Sequence, residues 1–252
     1  MKKITFYSQR GGVGKTSILA NLGAVMAMNG KRVGLLDFDL ISPTLGMIFE
    51  DSLKGGTLTD ALLEQDFNLN TIFELEDVTK GIIGKGSLYV IPSKHDVLSI
   101  AKVLRDGYPI IRVKKVLEYL EQHLKLDYLM IDTHSGLAED TIFALSVSNL
   151  IFVVFKPDIQ GLASMKAILN LFSKFKLQTM TIINMATNSD VEKNIIEEME
   201  HYCGIPIVEE IPFYPDIFQN KDKKLLAFWQ PNHEFIQHLK NITKMVEVME
   251  IV

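Results

Sequence analysis

Along the chain, short apolar runs alternate with longer stretches in which apolar side chains return every three or four positions. Ile4–Tyr7, Val33–Leu36, Leu88–Ile91, Tyr128–Ile131, Leu150–Phe155 and Thr179–Ile183 are short and rich in β-branched or aromatic types. Runs apolar on both faces suit strands inside a parallel sheet. Between them the spacing predicts helices over Lys15–Met28, Val97–Arg105, Val113–His123, Ala138–Val147, Gly161–Phe175, Val191–Tyr202 and Glu234–Met249. Asn29-Gly30 is an expected stop for the first. A shorter helix is predicted over Thr57–Leu63, inside the poorly patterned, glycine-dotted region from Ile48 to Gly86. Strict strand–helix alternation means βαβ units with right-handed crossovers. The expected fold is α/β: a doubly wound, mostly parallel sheet with helices on both faces. No Pro/Ser-rich boundary and no internal repeat divides the chain, so 1–252 reads as one domain.

Composition narrows the class. At 47% hydrophobic residues, with only 16 Gly and 8 Pro in 252, the chain is neither disordered nor collagen-like. A single cysteine, Cys203, excludes a disulfide framework and reads as a buried structural thiol before Gly204-Ile205-Pro206. No apolar run approaches the roughly 20 residues of a membrane span. The first residues run directly into glycines rather than a cleavage site, so the cytoplasm is the expected location. The net charge of −5 is unevenly spread: Lys80 to Lys115 holds eight basic residues against Asp96 and Asp106. That stretch is read first as a solvated face, with nucleic acid as the alternative.

The strongest chemical signal follows the first strand: Gln9-Arg10-Gly11-Gly12-Val13-Gly14-Lys15-Thr16-Ser17. Glycines let backbone N–H groups curl inward, and the following helix adds its positive end. Gly11, Gly12, Val13, Gly14, Lys15, Thr16 and Ser17 are therefore read as a phosphate cradle. In it, Lys15 faces the β and γ phosphates and the Thr16 hydroxyl ligates Mg²⁺. Leu35-Leu36-Asp37-Phe38-Asp39 ends the second strand with two carboxylates on one side, where open α/β sheets hold ligands. Tyr128-Leu129-Met130-Ile131-Asp132 ends another buried strand in an acid, a Walker B arrangement with Asp132 on Mg²⁺. Asn184 is followed by Met185-Ala186-Thr187, which lacks the acidic residue of the guanine-reading Asn-Lys-x-Asp, so ATP is favoured over GTP.

Gly11-Gly12 preceded by a basic residue resembles the deviant Walker A loop of the MinD/ParA family, a SIMIBI-class group of P-loop ATPases. The resemblance covers nearly the whole chain and is specific at the phosphate loop, Asp37–Asp39 and Asp132–Gly136. It implies that Arg10, in the place of a signature lysine, reaches the nucleotide of a second subunit, where a planar guanidinium suits phosphate oxygens. It implies that Asp39 orients or deprotonates the attacking water while Asp37 supports the Mg²⁺ shell. Lys15, Asp39 and Arg10 are the candidate catalytic set. Gly136 would sense the γ-phosphate, and Asn184, Pro212 and Phe213 would flank adenine. The family usually carries Pro in the turn where this chain has His134-Ser135, and His134 is read as a tolerated turn residue.

The resemblance further implies a Mg²⁺-dependent ATPase that forms an ATP-bound homodimer and hydrolyses slowly under stimulation by a protein partner. Its work would be the positioning or partitioning of a cellular cargo, with DNA or membrane as surfaces it visits from the cytoplasm. A metallocentre-assembly ATPase and a scaffold with negligible turnover are the alternatives, the lone cysteine counting against the first. The C-terminal helix carries Phe235, Leu239, Ile242, Met245, Val246 and Met249 at helical spacing. Its polar face mixes Lys240 and Lys244 with Glu247 and Glu250, which favours packing on the sheet over binding anionic lipid.

Overall fold

The computed structural model describes residues 1–49, 56–64, 85–174, 177–187, 189–219 and 225–250. Sequence readings on Lys80, on Phe175 and on the Cys203 side chain fall outside the described part, as does most of the poorly patterned region.

The chain runs β1 (Lys2–Tyr7), α1 (Lys15–Met28), β2 (Arg32–Phe38), α2 (Leu45–Ile48), α3 (Leu58–Leu63), β3 (Ser87–Ile91), α4 (Val97–Asp106), α5 (Ile110–Leu124) and β4 (Tyr128–Thr133). It continues α6 (Glu139–Ser146), β5 (Leu150–Phe155), α7 (Ile159–Lys174), β6 (Thr179–Ala186), α8 (Asp190–Cys203) and β7 (Ile207–Pro212). Three helices close it: α9 (Pro215–Gln219), α10 (Leu226–Trp229) and α11 (Glu234–Val248). The sheet order is β3-β2-β4-β1-β5-β6-β7, and every neighbouring pair is parallel.

The predicted runs are all strands, and β4 and β5 are buried at every position, as two-faced apolar runs require. The seventh strand, β7, was not anticipated. Its sequence Ile-Val-Glu-Glu-Ile-Pro buries only Ile211, because an edge strand needs no continuous apolar run. Helix α5 starts earlier than its periodicity suggests, at Ile110, with Pro109 in the position before it and Arg112 N donating to the Pro109 carbonyl at 2.9 Å. Helix α3 is held by a capping box, Thr57 and Asp60 bonding each other's backbone N–H.

Alternate strand positions face opposite layers. Ile4, Phe6, Leu35, Met130 and Phe152 pack under α1 and α11. Leu36, Phe38, Leu129 and Ile131 pack under α3 and α5, and Tyr7, Ile151, Val153 and Ile183 under α7 and α8. Phe235, Leu239, Ile242 and Val246 of α11 are buried in the first of these layers, so the C-terminal stripe is core. Among the described residues no helix is long and apolar enough to cross a membrane.

This order matters for chemistry. β4 lies between β1 and β2 although it follows them by ninety residues or more. The strand order reverses at β1, so a crevice opens at the carboxyl ends beside it.

Candidate functional site

The loop between β1 and α1 turns sharply because Gly12 and Gly14 take positive φ, 77° and 85°. A Cβ on Gly14 would run into the Asn184 amide, so this position is closed to larger residues on two counts. Helix α1 has no side-chain cap, and its first backbone bond is Ile18 N–H to the Gly14 carbonyl at 3.0 Å. The N–H groups of Lys15, Thr16 and Ser17 precede that bond and face outward as donors, which is the arrangement that binds an anion.

Lys15, 7% exposed, pairs through Nζ with Asp132, 1% exposed. Thr16 Oγ1 donates to the other carboxylate oxygen of Asp132 at 2.6 Å. Asp37 stands opposite Asp132 in the β2–β4 register and is wholly buried. Its oxygens accept from Leu45 N at 3.0 Å and from Asp39 N at 3.3 Å. Burial, then the charges of Asp132 and Asp39, hold the Asp37 carboxyl well above the usual carboxylate range, opposed by the Leu45 bond and by Lys15. Ser93, after β3, donates to the Asp37 carbonyl at 2.7 Å and ties the strand ends together.

Asp39 presents a different environment. Its Oδ1 accepts from Ser42 N at 2.8 Å, Ile41 N at 3.3 Å and His134 Nδ1 at 3.1 Å. Among the described residues no donor reaches its Oδ2. Gly136 is docked on the end of β1, its N–H donating to the Ser8 carbonyl at 2.9 Å, with φ 85°. Asp140, at the start of α6, has its carboxyl raised by burial and feels both His134 and Asp39.

Arg10 stands at the rim. Its Nη1 donates to both oxygens of Asp158, at 2.8 and 3.0 Å, and the two side chains are 43% and 36% exposed. Asp158 also caps α7 by accepting from Gly161 N at 2.7 Å.

On the other side of the loop is a cavity of about 330 Å³, whose walls include Asn184, Met185, Pro212, Tyr214, Ile217 and Phe235. Asn184 donates to the Val13 carbonyl at 2.8 Å, which fixes the phosphate loop to β6. A bulge between Asn184 and Ala186 leaves Met185 at φ 60°, a conformation rare for a side-chain-bearing residue. Phe213 is 43% exposed and is not among the cavity's walls; Tyr214 is, and packs edge-on near Phe235.

The structure therefore gathers the loop residues Gly11–Ser17 with Asp37, Asp39, Asp132, Gly136, Asn184 and Pro212 at the carboxyl ends of the strands, with Arg10 beside them. Four participants escaped sequence reading: His134 on Asp39, Asp158 on Arg10, and Tyr214 and Phe235 in the cavity. Asp158 had a signal, an acid just beyond the buried run Leu150–Phe155. The others are brought in by folding alone.

The donors suit a nucleoside triphosphate with Mg²⁺. The hydroxyl of Thr16 and the carboxylate of Asp132 are hard oxygen ligands within hydrogen-bond distance of each other, and Mg²⁺ takes few protein groups beside phosphate oxygens.

A family model described as an AAA domain matches residues 1–187. An uncharacterised ATP-binding protein of Methanocaldococcus jannaschii is 27% identical over 230 residues, covering 90% of this chain and 78% of that one. Two solved structures share the fold. The MinC:MinD cell division complex of Aquifex aeolicus gives a TM-score of 0.79 at 19% identity, over 100% of this chain and 98% of the other. The septum site-determining protein MinD of Pyrococcus horikoshii, complexed with Mg-ADP, gives 0.79 at 20% identity, over 98% and 96%. The fold is thus that of the MinD/ParA P-loop ATPases.

Proposed function

The chain belongs to the AAA domain family, and from that premise we propose a Mg²⁺-dependent ATPase that works as an ATP-dimerised switch in positioning or partitioning a cellular cargo. One observation carries the reading: Lys15, Thr16 and Asp37 surround Asp132 at the mouth of an uncapped helix.

In this reading Gly11–Ser17 cradle the phosphates and Lys15 leaves Asp132 for them. Thr16 and Asp132 would hold Mg²⁺, with Asp37 supporting them from the adjacent strand. Held there, Mg²⁺ would neutralise negative charge that builds up on the phosphate oxygens. Asp39 orients the attacking water, and Gly136 exchanges its Ser8 partner for the γ-phosphate. The cavity beside Asn184 and Pro212 takes adenine. Phe213 keeps its place outside that wall.

Arg10 serves a second copy of the chain. Its ion pair with Asp158 is largely exposed and worth about 0–1 kcal/mol, so a phosphate across a dimer interface can displace it. Exposed apolar side chains lie near the same rim: Leu137 follows Gly136, and Ile159 follows Asp158 and is 73% exposed. The MinD structures, named for cell division and septum siting and one of them a complex with MinC, support a positioning role and a protein partner; in this reading that partner stimulates slow turnover. The cytoplasm is its working place, with DNA or membrane as the surface it visits. For DNA, the basic stretch is partly spent. Lys94 pairs with Asp60, Arg105 with Asp106, and Arg112 donates to the Leu62 carbonyl.

The test is light scattering of an Asp39→Ala variant in saturating Mg-ATP, where dimers are expected to accumulate; a monomer throughout sinks the switch. Phosphate release with and without DNA or anionic vesicles then identifies the surface, stimulation by one of them being the expected result.

A further inference from the structure

One side chain at the site has no part in the reading above. His134 follows Thr133, whose hydroxyl donates to the Phe6 carbonyl at 2.9 Å, and precedes the Ser135–Gly136 turn docked on Ser8. The imidazole therefore sits just past the end of β4, on a turn tied to β1, the strand that leads into the phosphate loop. It reaches the Asp39 carboxylate across 95 positions of chain, Nδ1 to Oδ1 at 3.1 Å. The other two donors to Oδ1, Ile41 N and Ser42 N, belong to Asp39's own loop and travel with it. Among the described residues His134 is the one donor to this carboxylate from another element. The bond thus sets where Asp39 stands relative to the phosphate loop.

We propose that His134 is the positioning residue for Asp39, its Nδ1–H holding Oδ1 so that Oδ2 stays open toward the attacking water. The inference rests on Asp39 being the water-orienting group. An ionised carboxylate only accepts, so the bond requires the proton on Nδ1 and selects one imidazole tautomer. It also joins the loop after β2 to the turn after β4 that carries Gly136, so movement of the turn carries the carboxylate with it.

The experiment compares wild type, His134→Ala, His134→Asn and Asp39→Ala in Mg-ATP turnover. It also records the imidazole ¹⁵N spectrum of nucleotide-free wild type and Asp39→Ala. His134→Ala is expected to lower kcat by about ten- to a hundredfold with KM for ATP unchanged, as for partners that orient a reacting group. His134→Asn, whose amide can donate from nearly the same place, is expected to recover most of that loss. The His134 resonances are expected to report the Nδ1–H tautomer in wild type and to lose it in Asp39→Ala. Wild-type kcat in His134→Ala, an asparagine variant no better than alanine, or a tautomer indifferent to Asp39 each overturns the inference. If Asp39→Ala turns over like wild type, or wild type does not turn over, the reading of Asp39 falls with it. An inactive Asp39→Ala beside a fully active His134→Ala removes His134 alone.

Discussion

Lys15→Ala should destabilise the nucleotide-free protein, apart from any effect on nucleotide. Lys15 and Asp132 are 7% and 1% exposed, and beyond Lys15 only Thr16 donates to the Asp132 side chain among the described residues. The wholly buried Asp37 faces Asp132 across the β2–β4 ladder. Removing the cation leaves two buried acids side by side, and breaking one partner out of a buried pair costs about 3–5 kcal/mol. That is roughly two to four powers of ten in the folding equilibrium. The loss should depend on pH. Asp37 already titrates above the usual range in the folded state, from burial and its acidic neighbours, and Lys15 is among the influences pulling it down. In the window above about pH 4 the folded chain keeps a proton that the unfolded chain releases, so stability falls as pH rises. Deleting Lys15 pushes Asp37 further up and extends that window. Urea unfolding of nucleotide-free protein at pH 5.5 and 8 is the assay, with the larger deficit expected at pH 8. Lys15→Met, which keeps the aliphatic stem, should lose nearly as much if charge is the cause. Both variants lying within about 0.5 kcal/mol of wild type at both pH values would refute the account.

Three further outcomes follow from the same geometry. Asp158→Ala loses the cap on α7 as well as the Arg10 pair and should cost about 1 kcal/mol, whereas Asp158→Asn keeps the cap and should unfold in urea nearly like wild type. Equal losses would show that the ion pair, not the cap, carries the stability. Gly14→Ala forces a side chain into positive φ and against Asn184, costing about 1–2 kcal/mol, and calorimetric titration with ADP should show little binding. Asn184→Ala removes one hydrogen bond to the phosphate loop, worth about 1 kcal/mol. If that is felt in binding, ADP affinity should weaken about fivefold, and an unchanged affinity would place the loop's rigidity elsewhere.

Much of this was legible in the linear order because it is local. Strands such as Tyr128–Thr133 announce themselves by being apolar on both faces, and the phosphate loop by glycines between a strand and a helix. Strand-end acids are equally local: Asp37 lies near the end of β2 and Asp39 just past it, at the two-residue spacing that alternation puts on one side. β7 was missed for the converse reason: an edge strand with exposed glutamate has no two-faced apolar signature. Tyr214 could not be told from Phe213 as the cavity's aromatic, because adjacent residues of a turn are assigned to wall or solvent only by what packs beside them.

The sequence by itself determined the alternating α/β plan, the phosphate cradle and the acids at the strand ends. Each follows from spacing within a dozen residues. Only the tertiary structure decided which of these meet. β4 inserts between β1 and β2, and that non-local pairing brings Asp132 onto Lys15 and opposite Asp37, and sets His134 against Asp39. No local periodicity encodes such an order. It arises from burying both faces of one twisted sheet at once, and it turned a tolerated turn residue into a partner of the candidate catalytic acid.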